Sequence, residues 1–317
     1  MKTLLKNNPI LSVIILNYNA KDYLKKCLES INKSQLGDYS IEIIIADNSS
    51  TDDSLKLAKT VKSTNPHLSF AFHSNSGNIG FAAGNNEGLT AANPQSKYVL
   101  FLNPDTTVED DTFRKILDFF EHHIEVDAAT CNLILVLTGQ TQPECHRGFP
   151  TPWNAFCHFF GFGLPKLFPH SKFFNGYFMG HLDYSKVQKI DACVGAFVML
   201  KRSVGDDIHW WNEKYFMYGE DIDLCWQMKQ KGYCLYFFPG CKAYHYQGVS
   251  SGIIKHTQNI ATKSTETKIR SAMATTNAMR IFYRENLIKN YPPILQQLVW
   301  LGINLLEKYR IFKIKHL

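Results

Sequence analysis

The eight cysteines of this chain include no Cys-x-x-Cys pair, and that absence removes a zinc knuckle or a redox dithiol from consideration. Cys27, Cys193 and Cys225 fall within apolar patterns and read as small core residues. No long apolar run is present either. The best candidate, in the C-terminal tail, is broken by Gln296, Gln297 and Asn304 and falls short of the ~20 residues that span a bilayer. Met1 to Pro9 carries two lysines but is followed only by the short run Ile10–Leu16, so no secretory signal is read and a reducing cytoplasmic setting is expected. The glycines around Asn78-Ile79-Gly80-Phe81-Ala82-Ala83-Gly84 fit neither a P-loop nor a dinucleotide fingerprint. A basic, glycine-rich triphosphate signature is missing near the amino terminus, which counts against nucleotidyl transfer. The net charge of +6 is modest and forms no basic face interleaved with aromatics, so no nucleic-acid partner is expected.

What is present is an ordinary globular composition, 317 residues with 45% hydrophobic side chains, enough for one large domain or a domain with an appendage. The first half alternates strands and helices. Ile10–Leu16 and Ile41–Ala46 are β-branched runs of the kind buried on both faces of a sheet. Leu68–Phe72 and Tyr98–Leu102 continue the series. Between them, Tyr23, Leu24, Cys27, Leu28 and Ile31 recur at helical spacing, as do Phe113, Ile116, Leu117 and Phe120. Gly80 to Ala92 fits a helix of small residues. The alternation predicts an α/β fold with a mostly parallel sheet flanked by helices, and ligands at the carboxyl ends of its strands. Asn17, Asp47 and Asp105 then share one rim. In the second half, Ala192–Leu200 and Tyr233–Phe238 read as strands and Asp221–Lys231 as a helix. Residues 143 to 184 give no confident element.

Two acidic clusters stand out against this background. Asn103-Pro104-Asp105 follows the strand Tyr98–Leu102, and Glu220-Asp221-Ile222-Asp223 follows the aromatic stretch Tyr215–Tyr218. A carboxylate at a strand end can hold a hard divalent cation against a diphosphate. A second one, across a cleft, can take the proton of an incoming hydroxyl. Together they suggest group transfer from a nucleotide-activated donor. The bland readings are a strand-ending Asn-Pro turn and a pair of acids favoured by a helix dipole. In the glycine segment, small residues would let a helix start close to a ligand and aim N–H groups at it. Asn78, Gly80 and especially Asn85, which adds a polar side chain, are the candidates there; tight helix–sheet packing explains Gly80 nearly as well.

Four segments, "SVIILNYNAKDYLKKCLESI", "IIIADNSSTDDS", "NSGNIGFAAGNNEGL" with "YVLFLNPDTTV", and "FMYGEDIDLCWQMKQKGY", resemble the family 2 glycosyltransferases of the GT-A (Rossmann-like) fold, especially the bacterial rhamnosyltransferase-like branch. The ordered set spans most of residues 10 to 240. The resemblance implies an inverting transferase with a nucleoside-diphosphate sugar donor, dTDP-L-rhamnose first and UDP-sugars next, and Mg2+ or Mn2+. It implies a glycan or lipid-linked saccharide acceptor in bacterial surface polysaccharide synthesis. It puts Asn17-Tyr18-Asn19 against the nucleotide, Asp47 against base or ribose, and Asp105 on the metal with Asn103 in place of a second carboxylate. His245, in "AYHYQGVS", is a possible further ligand, with a packed histidine as the alternative. Asp221 is the implied base, Glu220 its alternative, and Asp223 a support. A catalytically silent nucleotide- or sugar-binding protein is the rival from another class.

The resemblance divides the chain into a GT-A domain over 1–252, with a nucleotide half to about 125 and an acceptor half over 126–252, and a helical extension over 253–317. Trp210-Trp211 and Tyr215-Phe216 are candidates for an acceptor platform, with core packing as the alternative. The tail combines apolar residues with Lys308, Arg310, Lys313 and Lys315 and no acid. It is expected either to lie on the inner face of the cell membrane or to pack as a helix on the domain.

Overall fold

The computed structural model describes residues 8–63, 65–246 and 264–316. The first 47 residues supply β1 (Leu11–Asn17), α1 (Lys21–Asn32) and β2 (Ile41–Asp47). Next come α2 (Ser54–Ala58), β3 (Leu68–Ser74), α3 (Phe81–Thr90), β4 (Tyr98–Leu102) and the short β5 (Thr106–Val108). Then follow α4 (Thr112–His122), β6 (Ala128–Leu135), α5 (Pro152–Phe160), α6 (Leu164–Leu167), β7 (Gln188–Ile190) and β8 (Phe197–Lys201). The chain continues through α7 (Arg202–Ile208), α8 (Glu220–Gln230), β9 (Leu235–His245), α9 (Thr265–Phe282) and α10 (Pro293–His316).

Among the described residues all nine strands join one sheet, in the order β3-β2-β1-β4-β8-β6-β9-β5, with β7 on β9. The first four strands are parallel to one another, as the alternating pattern predicts. Beyond β4 the sheet turns mixed: β8 is antiparallel to β4 and to β6, β9 runs parallel to β6, and β5 and β7 pair antiparallel with β9. The parallel register sets Asn17 opposite Asp47 and Asp47 opposite Ser74, which aligns the polar strand ends on one rim. Buried β-branched and aromatic side chains of β1, β2 and β4 form the centre of the core. Helix α1 covers them with the expected Leu24, Cys27, Leu28 and Ile31.

Glycine sets how closely α3 lies on the sheet. A Cβ at Gly84 would come within 2.7 Å of Leu16 Cδ1, and one at Gly88 within 2.8 Å of Ala46 Cβ and 3.0 Å of Ile14 Cγ2. Helix α3 therefore rests almost on the β1–β2 surface, which small residues alone permit.

Three strands escape the sequence pattern. β5 and β7 are three residues long, and β6 begins inside the small-residue run after α4. Strand β9 runs on past Phe238 to His245, because Pro239, Gly240 and Cys241 bulge out of the ladder: Cys131 pairs with Phe238 and Asn132 with Lys242. The expected strand over Ala192–Leu200 starts only at Phe197. Ala192 instead exchanges backbone bonds with Arg147 (2.9 and 2.8 Å), and Val194 N donates to Glu144 O at 2.9 Å. Pro292-Pro293 divides the tail as expected, but α9 is no loose appendage: Ala278, Ile281 and Phe282, with Tyr283 and Leu287 just after it, belong to the main core. Residues 253–263, expected to begin the helical extension, lie outside the described residues. All eight cysteines are free thiols.

Candidate active site

The rim begins at the end of β1. Asn17 is buried, and its Nδ2 donates to Asp47 Oδ1 at 2.6 Å, to Ser54 Oγ at 2.7 Å and to Ser50 Oγ at 2.9 Å. Asp47 Oδ2 accepts from Ser50 N at 2.9 Å, so both residues brace the loop after β2. Asn19, at φ 50°, accepts from Thr51 N at 2.7 Å. Tyr18, 45% exposed, and Asn19 both stand open to solvent, whereas Asn17 is buried. Asn48 Nδ2 donates to Gly80 O at 3.0 Å, and Asn78 Oδ1 accepts from Gly80 N at 3.3 Å. The first rim loop and the start of α3 are thereby tied together.

Gly80 has a specific reason to be glycine. Its φ is +95°, and a Cβ there would lie 2.6 Å from Phe216 O. Phe81 N donates to that same oxygen at 2.7 Å. The close approach fastens the start of α3 to the loop leading into α8. Asn85, expected to offer its amide to a ligand, is 2% exposed, and its Nδ2 donates to Phe81 O one turn back at 2.9 Å. Its role is inside the helix, a correction that follows from the depth at which α3 packs.

Asp105 and His245 meet across the β5–β9 pairing, where Thr106 lies opposite His245. Asp105 Oδ1 stands 3.2 Å from His245 Nε2, and both side chains are buried. On the other side of the ring, His245 Nδ1 lies 2.8 Å from Gln142 Oε1. An amide oxygen can only accept, so Nδ1 donates to Gln142, and Nε2 is left facing the carboxylate. A buried carboxylate facing an imidazole whose other nitrogen is held offers two donors that could hold a cation. Among the described residues no group of three or more His, Cys, Asp or Glu side chains could hold a metal ion.

Opposite stand the acids of α8. Gly219, at φ 83°, precedes the helix, and Glu220, Asp221 and Asp223 occupy its first turn, where the helix dipole favours them. Asp223 is a support: it accepts from Asn286 Nδ2 at 2.7 Å, Asn212 Nδ2 at 3.2 Å and Tyr215 Oη at 3.2 Å. Asp221 Oδ2 is ion-paired with Arg147 Nη2 and lies 3.3 Å from Gly195 N, while Oδ1 accepts from Ile222 N at 2.8 Å. Burial is the largest influence on Arg147 and opposes its charge, but Asp221 together with Tyr177, Glu144 and Cys225 more than offsets it and the guanidinium pKa is raised. Glu220 differs sharply. Burial, with the charge of Asp221 beside it, pushes its carboxyl up to about 8, and its Oε2 is buried without a hydrogen-bond partner. The two adjacent carboxyls thus sit in different environments, Asp221 against a guanidinium and Glu220 buried with an unpartnered oxygen.

One cavity of about 1050 Å³ joins these groups, lined by Asn103, Asp105 and His245 on one side and Arg147, Glu220 and Asp221 on the other. The family model described as glycosyl transferase family 2 matches residues 12–208. The chain belongs to that family. The rhamnosyltransferase WbbL of Escherichia coli K12 is 28% identical over 242 residues, 74% of this chain and 82% of WbbL. The hexosyltransferase Agl10 of low-salt glycan biosynthesis in Haloferax volcanii is 25% identical over 70% of this chain and 62% of its own length. Of the minor teichoic acid biosynthesis protein GgaB of Bacillus subtilis the chain spans only 13%, at 33% identity over 37% of this chain. Among solved structures, the mannosyltransferase PcManGT of Pyrobaculum calidifontis, in complex with GDP-Man and Mn2+, aligns over 98% of this chain and 74% of its own, with TM-score 0.57 and 16% identity. S. aureus TarS 1–349 in complex with UDP-GlcNAc aligns over 84% and 66%, with TM-score 0.51 and 16% identity. These likenesses show the GT-A fold.

Several residues that line the cavity have no local signal in the sequence. Glu144 and Arg147 come from the stretch that resisted assignment, where Arg147 pairs with Ala192, and Gln142 stands just before it. The expected aromatic platform is mostly core. Trp211 and Tyr215 are each 1% exposed, and Trp211 packs edge-on against Phe81 and Phe101. Phe216 remains open to solvent.

Proposed function

We propose that this family 2 glycosyltransferase moves a sugar from a nucleoside-diphosphate donor to an acceptor hydroxyl with inversion at the anomeric carbon. The observation that carries the reading is the single cavity with Asp105 and His245 facing the ion-paired Asp221. The strand-end loops around Tyr18, Asn19, Asp47 and Asn78 are where the nucleotide would lie, at the carboxyl ends of parallel strands. Asp105 and His245 would hold a divalent cation, Mg2+ or Mn2+, which when bound neutralises charge on the diphosphate leaving group.

Asp221 takes the proton of the acceptor hydroxyl as the oxygen attacks the anomeric carbon. The new C–O bond forms on one face as the bond to the diphosphate breaks on the other. The Gly195 and Ile222 N–H groups and Arg147 fix the carboxylate in one orientation. Glu220, protonated at neutral pH, is not free to accept that proton. The donor is read as dTDP-L-rhamnose first and UDP-sugars next, and the acceptor as a glycan or lipid-linked saccharide of a bacterial surface polysaccharide. Similarity to a rhamnosyltransferase over 74% of the chain supports that order.

The test is nucleotide release from dTDP-rhamnose, UDP-galactose, UDP-glucose and UDP-N-acetylglucosamine, with and without magnesium or manganese, alongside calorimetric binding of each nucleotide. Metal-dependent release from one donor is expected, with Asp105→Ala and His245→Ala each losing the metal dependence. Silence with every donor together with no nucleotide binding would overturn the reading in favour of a catalytically silent relative.

A further inference from the structure

Helix α10 is apolar on two opposite faces. Ile303 and Leu306 are buried, and a Cβ at Gly302 would meet the Phe160 ring of α5 at ordinary contact distance. On the far side, Ile294, Leu298, Leu301, Leu305, Tyr309 and Phe312 recur at three- and four-residue spacing, which places them along one stripe. Each is more than half exposed; Ile294 reaches 71%. A helix that merely packs on its domain needs only one apolar face.

The stripe is not isolated. Leu298, Leu301 and Leu305 line the mouth of the active-site cavity together with the exposed Trp153, Phe156 and Phe162 from α5 and its C-terminal turn. The guanidinium of Arg310 lies over the Phe159 ring and ties the two elements together. Leu167 and Phe168, at the end of α6, extend the same aromatic segment and are 72% and 49% exposed. Charge follows the same boundary. Residues 145–182 contain no Asp or Glu but include Arg147, Lys166 and Lys172, and residues 308–317 contain no acid but Lys308, Arg310, Lys313 and Lys315. Among the described residues no helix is long and apolar enough to cross a membrane.

We propose that the outer stripe of α10 and the aromatic α5–α6 segment form one face that docks on an anionic lipid bilayer, with the active-site cavity opening at that face. Exposed apolar side chains flanked by lysines, with the one acid of α10, Glu307, ion-paired to Arg280, are the chemistry of an interfacial helix on anionic lipid. The inference goes beyond the proposed transfer and does not depend on the donor, and its test reads no activity.

The full-length protein is floated on a density gradient with vesicles of phosphatidylcholine alone or with phosphatidylglycerol. Flotation is expected only with the anionic vesicles and should weaken as salt rises. Lys308→Gln, Lys313→Gln and Lys315→Gln should each lower the partition coefficient about fivefold. Ile294→Ser/Tyr309→Ser/Phe312→Ser should abolish flotation, with an unchanged circular dichroism spectrum because those side chains face solvent. Leu167→Ser/Phe168→Ser should weaken it as well. Wild-type flotation in either apolar variant overturns the two-element face. Absence of flotation, or a dimer in light scattering that Ile294→Ser/Tyr309→Ser/Phe312→Ser dissociates without any vesicle binding, overturns the proposal in favour of no docking or a second copy.

Discussion

The ion pair between Arg147 and Asp221 makes one residue answer for both stability and chemistry, and a mutant cycle separates the two. The side chains are 10% and 13% exposed, so removing one partner leaves a nearly buried charge. Asp221→Asn strands the guanidinium, whose Nε is already without a partner and whose Nη2 keeps only Cys193 O at 3.3 Å. Breaking a buried pair from one side costs about 3–5 kcal/mol. Arg147→Met leaves Asp221 with two backbone N–H donors and should cost less, about 1–3 kcal/mol. The double variant removes both charges and should be no less stable than Asp221→Asn alone, so the coupling is at least the cost of Arg147→Met, about 1 kcal/mol or more. Turnover should not follow stability. Asp221→Asn should lose roughly a hundredfold to ten-thousandfold in kcat, as expected for a general base, and the double variant should recover none of it. Urea denaturation followed by tryptophan fluorescence gives the first set of numbers and nucleotide release the second. Additive stabilities would refute the buried pair. Asp221→Asn turning over within tenfold of wild type would refute the base.

Two further expectations rest on single contacts. Glu220 has a folded-state pKa of about 8 against an ordinary 4.5, so its protonated form is the one the fold favours. Its stability contribution is complete below about pH 4.5 and is lost as pH rises toward 8, at up to about 1.4 kcal/mol per unit. Glu220→Gln, which keeps the neutral form, should therefore gain on wild type by on the order of 2 kcal/mol between pH 6 and 8, and parallel denaturation midpoints at the two pH values would count against a buried, protonated Glu220. Gly88→Ala should destabilise by about 1–3 kcal/mol although alanine is the better helix former, because the added methyl meets Ala46 Cβ and Ile14 Cγ2 rather than a flexible chain end. A variant as stable as wild type would show that α3 can lift from the sheet.

Legibility in the sequence followed the range of the contacts. Strands β1 to β4 are short apolar runs whose neighbours in the sheet are also near in sequence, so local pattern and topology agree, and the polar strand ends fall on the rim without further information. The function of the glycine segment was harder to separate. Gly80 serves the approach to Phe216 and Gly84 and Gly88 serve packing, and a sequence reading sees the same residue type in all three places. Only contact distances distinguish them.

The acceptor half was obscure for a different reason. Arg147 is an ordinary arginine in an aromatic stretch, and nothing within ten residues marks it. It becomes a site residue because Ala192, 45 positions downstream, pairs with its backbone and because Gly195 and Asp221 then fall beside its guanidinium. Gln142 likewise acquires meaning only through His245, which reaches it because β9 resumes after the Pro239-Gly240-Cys241 bulge. In each case the chemistry depends on a long-range pairing held by a two-residue bridge or a resumed strand, too short to carry a periodic signal. The residues that carry such pairings are therefore the ones where substitution should damage the site without touching it. The Arg147–Ala192 bridge is the clearest, because it fixes the backbone of the residue that pairs with Asp221.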